Sequence, residues 1–62
     1  MKYLCTWNDK NSSDIRTVDA SFFCDDNGYS TDDFKRITLL KVGETLDLSD
    51  GISQEHTIER VL

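Results

Sequence analysis

The apolar residues of this 62-residue chain change period twice, and that change limits the folds open to it. Tyr3, Cys5 and Trp7 alternate with Lys2, Leu4 and Thr6, and Val18, Ala20, Phe22 and Cys24 again occupy every second position. Period two is that of a half-buried strand. After Tyr29 the spacing becomes three, in Phe34, Ile37 and Leu40, as on a helix with one apolar stripe. At Leu46 and Leu48 it returns to two. The order predicted is β-β-α-β-β: an α+β fold, one domain over residues 1–62, with a mostly antiparallel sheet of about four strands and one helix.

Local signals set the boundaries. The first strand is predicted over residues 2–7 and the second over 15–24, joined by the polar stretch from Asn8 to Asp14. Asp25-Asp26-Asn27-Gly28 is turn chemistry, because Asn and Gly tolerate positive φ. Ser30 is placed to cap a helix, with Asp33 three residues on as a shortened capping box. Tyr29 and Phe34 suit a hydrophobic staple across that cap. The helix is predicted from residue 31 to 41 or 42, with Gly43 as its C-terminal cap. Leu39 falls off the apolar stripe. Strands over 45–48 and 56–61, turned by Ser49-Asp50-Gly51 and with Ile58 inward, complete the sheet.

Charge excludes several functions. Acidic side chains number 12 against 7 basic ones, for a net charge of −5. Phosphate contacts need clustered Lys and Arg, and here only Lys35 and Arg36 are adjacent, so direct nucleic-acid binding is not expected. No apolar run approaches the roughly 20 residues of a membrane span. With no leader pattern at its start, the chain is expected in the cytoplasm, where Cys5 and Cys24 stay reduced.

Metal and catalytic chemistry are poorly served. Asp25, Asp26, Asp32 and Asp33 around Gly28 suggest a calcium loop, but that register fails. With Gly28 at the turn position of an EF-hand, Phe23 and Phe34 fall where a carboxylate and a bidentate Glu are required. Cys5, Cys24 and His56 lack the close pairing of a structural zinc site. A Cys5–Cys24 disulfide is not expected either, since Cys24 runs past the end of the hairpin. No nucleophile elbow, phosphate-cradling glycine loop or HExxH pair is present. No enzyme activity, metal or cofactor is expected, and His56 reads as a strand residue with a solvated or hydrogen-bonded ring.

Binding remains. Asp outnumbers Glu nine to three, and seven of the nine Asp lie in the first 33 residues. Short carboxylates at Asp14, Asp19, Asp25, Asp26, Asp32 and Asp33, held at fixed separations, imitate the phosphates of a nucleic acid. Such a surface docks on a protein partner with a basic groove. The plain alternative is a solvated face that keeps a small protein soluble. Phe23, on the polar side of the second strand, and Leu39, off the helix stripe, are candidate exposed anchors, whereas Trp7 is expected to pack in the core. A different reading is a structural or regulatory homo-oligomer, such as a homodimer, joined through a sheet edge or the uncovered sheet face. A third is a small metal-binding or redox module.

The run Leu39-Leu40-Lys41-Val42-Gly43-Glu44-Thr45-Leu46, followed by His56-Thr57-Ile58-Glu59-Arg60-Val61, resembles the C-terminal half of small phage and prophage accessory proteins. The resemblance covers about half the chain. It implies a non-catalytic inhibitor of the anti-CRISPR kind, which occludes the nucleic-acid groove of a host defence complex.

Overall fold

The computed structural model describes residues 1–49, 51 and 54–62. Strand β1 (Lys2–Asp9) turns into β2 (Ser13–Asp19), and two short 3-10 turns follow at Ala20–Phe22 and Asp25–Asn27. Helix α1 (Thr31–Thr38), β3 (Thr45–Asp47) and β4 (Gln54–Arg60) complete the chain. The strands form one antiparallel sheet in the order β2-β1-β4-β3. The α+β architecture and the element order are those the apolar spacing predicts.

The first connection is tighter than its seven polar residues suggest. Asp9 Oδ1 accepts from the amides of Asn11 (2.8 Å) and Ser12 (2.7 Å), and Asp9 N donates to Ser12 O (2.9 Å). The carboxylate occupies the loop amides, so Asn8, Asp9, Ser13 and Asp14 join the strands instead of the loop. Ladder hydrogen bonds belong to the backbone, so polar residues serve as well as apolar ones.

The second strand ends earlier than its alternation predicts, at Asp19. Phe22 and Phe23 are adjacent, and an extended strand would send one of them to each face. The turn at Ala20–Phe22 instead directs both rings toward the core. Phe23 packs edge-on against Tyr3 (5.3 Å), Phe22 (5.6 Å) and Tyr29 (5.0 Å). This corrects the expectation of Phe23 as an exposed anchor: it is 2% exposed. Cys24, expected inward, is exposed.

Helix α1 begins as predicted. Ser30 Oγ accepts from Asp33 N, and the Asp33 carboxylate accepts from Ser30 N, a reciprocal capping box. The helix ends at Thr38, a turn before the predicted 41 or 42. The sheet claims the chain first: Gly43 N donates to Arg60 O (2.7 Å) and Arg60 N to Glu44 O (3.0 Å). Gly43, at φ +92°, therefore serves the 41–44 turn rather than capping the helix. The Leu40 carbonyl beyond the helix end accepts from Arg60 Nη1 (2.9 Å).

One face of the sheet carries the core, where Tyr3, Cys5 and Ile58 meet Phe23, Tyr29 and Ile37 from the segment between β2 and β3. Trp7, Leu40, Leu46 and Leu48 pack around it, as expected of Trp7. The opposite face has no covering layer among the described residues, and Ile15 on it is 64% exposed. The predicted Ser49-Asp50-Gly51 turn lies partly outside the described residues.

Candidate functional site

The crossover between β2 and β3 is built on aromatic anchors. Tyr29 is buried, and its hydroxyl lies 2.8 Å from His56 Nε2. His56 Nδ1 is 3.0 Å from Thr6 O, a carbonyl that can only accept. In the neutral ring Nδ1 therefore carries the proton, and Nε2 accepts from the Tyr29 hydroxyl. The imidazole also stacks on Trp7 at 4.7 Å, with planes 9° apart. His56 is thus a satisfied histidine, only 8% exposed, that fastens the crossover to the sheet.

The titratable groups near it are set against nucleophilic chemistry. Burial pushes the Cys5 thiol up to about 11, only partly offset by the positive charge of Arg16. Burial, with repulsion from Cys5 and Asp33, pushes the Tyr29 hydroxyl up to about 12. Both groups are protonated at neutral pH, which suits packing rather than attack. Cys5 and Cys24 are not bonded to one another.

Asn27 Nδ2 donates to Phe22 O (2.8 Å), and Gly28 takes a left-handed conformation at φ +89°. These features fix the backbone that leads into the capping box. Between them lies a depression of about 230 Å³, floored by Phe23, Tyr29 and Phe34 and rimmed by Asp25 and Ser30. That volume falls below the roughly 300 to 1,000 Å³ of small-molecule pockets. It suits one side chain with an apolar stem. Phe34 is 38% exposed, against 2% for Phe23 and 7% for Tyr29, although its spacing assigns it to the core stripe.

The predicted acidic residues separate into two groups. Asp25, Asp26, Asp32 and Asp33 all lie on the crossover, although the Asp33 carboxylate is committed to the helix cap. Asp14 and Asp19 lie toward opposite ends of β2, and alternation puts them on opposite faces. Asp19 is paired with Lys2 Nζ at 2.5 Å, and the cation holds its carboxyl below the ordinary value. It does not join the crossover carboxylates. Leu39 is 79% exposed at the C-terminal end of α1, roughly 12 Å along the helix from the acidic first turn. Tyr29, Ser30 and Phe34 line the depression but were not legible as site residues, because their spacing also fits a staple and a cap.

A larger open groove of about 620 Å³ lies at the other end of the sheet, between Asn8, Asp9, Asp47 and Glu55. Its carboxylates at Asp9 and Asp47 accept from neighbouring loop amides. Among the described residues, no three His, Cys, Asp or Glu side chains converge as metal ligands, and no helix is long and apolar enough to cross a membrane. Comparison of the chain with family models, with characterised proteins and with solved structures finds no match.

Proposed function

We propose that this chain is a non-catalytic binding module that receives a basic side chain of a protein partner on its acidic crossover. The observation that carries this reading is the depression floored by Phe23, Tyr29 and Phe34, with Asp25 on its rim. Lys and Arg bury an apolar stem while keeping the charged head at the surface, and this arrangement offers a surface for each part. Asp26 and Asp32 are exposed beside it in sequence and extend the negative field. Basic partners that handle nucleic acid fit such a field. In the finer reading the chain is a phage-encoded inhibitor that occludes the basic groove of a defence complex in the host cytoplasm.

The test is an amide-resolved NMR titration with a tetra-arginine peptide at two salt concentrations. Shifts concentrated on residues 23–34, lost in Asp25→Lys/Asp26→Lys and in Phe34→Ala, are the expected result. Glu55→Lys/Glu59→Lys changes the net charge equally but lies on β4, and it should leave the localised shifts in place. Shifts spread over the whole surface, or equal losses in both charge-reversed pairs, would refute the site and leave only net charge.

A further inference from the structure

Strand β2 is an edge strand, paired on one side to β1 and on the other to nothing among the described residues. Its register with β1 is continuous from Lys2↔Asp19 to Asn8↔Ser13, with no bulge to twist the edge away. It contains neither proline nor lysine, and every residue of it except Val18 is exposed. Its guards are the charges of Asp14, Arg16 and Asp19, so the edge is a template only for a strand whose own charges complement them.

The direction of the free backbone groups follows from the hairpin. Asp9 N donates to Ser12 O, so alternation along the ladder turns the amides of Asp14, Arg16 and Val18 toward β1. The amides of Ser13, Ile15 and Thr17 then point outward. The neighbouring ladder agrees: Val61 N donates to Lys2 O, as expected if the even-numbered residues of β1 face β4.

We infer that two copies of this chain associate through antiparallel β2 edges about a twofold axis at Ile15, joining their sheets into one of eight strands. In this register Ile15 faces Ile15 of the second copy, and Ser13 faces Thr17, all through outward-pointing amides. Asp14 then faces Arg16 of the second copy, and Arg16 faces its Asp14. Both contacts fall at non-hydrogen-bonded positions, where side chains approach most closely. Neither Asp14 nor Arg16 has an ion-pair partner among the described residues, where the ion pair is Lys2–Asp19. Arg16 instead lies 5.7 Å from the Phe22 ring.

Neighbouring registers are worse. Centring on Asp14 sets that carboxylate opposite itself, and centring on Arg16 does the same with two guanidinium groups. Centring on Thr17 sets Arg16 opposite Val18 and Ile15 opposite Asp19. Of these centres, Ile15 is the one that sets opposite charges against each other. The inference is independent of the acidic crossover, and its readout is oligomeric state rather than ligand binding.

Sedimentation velocity over a concentration series tests it. The unmodified chain should show a monomer–dimer equilibrium. Asp14→Arg and Arg16→Asp should each weaken the dimer by about tenfold or more, because both cross-copy pairs become like-charged. Mixing these two variants should restore association, since each Arg of one then faces an Asp of the other. The double variant Asp14→Arg/Arg16→Asp should dimerise as the unmodified chain does. Ile15→Pro removes an outward amide that β1 does not use, and should abolish the dimer while far-ultraviolet circular dichroism is unchanged. A chain monomeric throughout its soluble range, or single variants that mixing fails to rescue, would overturn the inference.

Discussion

The Tyr29–His56 contact joins residues 27 positions apart, and no sequence spacing marks it. Tyr29 reads from the sequence as a staple residue and His56 as one more strand position, yet together they tie the crossover to the sheet. Tyr29→Phe keeps the ring and removes the donor. Because Nδ1 must donate to Thr6 O, the ring cannot change tautomer to recover, and His56 Nε2 is left without its partner. The expected loss is about 1 to 3 kcal/mol in urea denaturation at neutral pH. Tyr29 and Cys5 also set an alkaline limit. Both bind their protons more tightly folded than unfolded, so the stability linked to them is complete below their ordinary values and is lost as pH rises. For Cys5 the loss runs from 9.0 to about 11, and for Tyr29 from 10.0 to about 12. The melting temperature should fall across this range, and Tyr29→Phe should flatten only its upper part. A curve flat to pH 12 in the unmodified chain would contradict the burial of both groups.

Elements form where local chemistry and the sheet agree, and they stop where the two conflict. The start of α1 is local: Ser30 and Asp33 are three residues apart and satisfy each other's amides. Ser30→Ala should cost about 1 kcal/mol, read as a lower melting temperature with an unchanged sheet signal. The end of α1 is not local. Arg60 of β4 takes up the Leu40 carbonyl and exchanges backbone hydrogen bonds with Gly43 and Glu44. Arg60→Met keeps the stem and removes the guanidinium, and is expected to cost roughly 1.5 to 3 kcal/mol, since hydrogen bonds to charged groups are the stronger ones. Protection of the amides near residues 38–41 from hydrogen exchange should fall with it. Helix periodicity, which extends through Leu40, gives no warning of this competition, because the partner strand begins more than a dozen residues later.

Across the whole molecule the acidic excess has a structural share as well as a surface one. Amides of Asn11 and Ser12 hold the Asp9 carboxyl below its ordinary 3.8, and Lys2 does so for Asp19. The hydroxyl and amide of Ser49 do the same for Asp47. Each is more acidic folded than unfolded, so the stability it contributes is present above about 3.8 and disappears as pH falls through the lower folded value. Thermal melts should therefore show a decline beginning near pH 4, and Asp9→Asn, whose side-chain oxygen accepts from the loop amides but does not titrate, should make that decline shallower. Loss of these carboxylates would loosen the β1–β2 connection, the Lys2–Asp19 end of the sheet and the turn after β3 together, three points spread along a molecule 30 Å in its longest dimension.

By itself the sequence determined the α+β class, the element order and the helix start, because each depends on apolar period or on partners within four residues. It also determined that aspartates rather than glutamates carry most of the acidic excess. Tertiary structure decided where strands and helix stop, since the ends of β2 and α1 answer to Phe23 seeking the core and to Gly43 joining β4. It decided, too, that Phe23 is the buried part of the depression's floor and Phe34 the exposed part, and that Asp19 pairs with Lys2 away from the crossover. Those outcomes depend on which distant groups arrive beside a residue, and a one-dimensional pattern holds no measure of that distance.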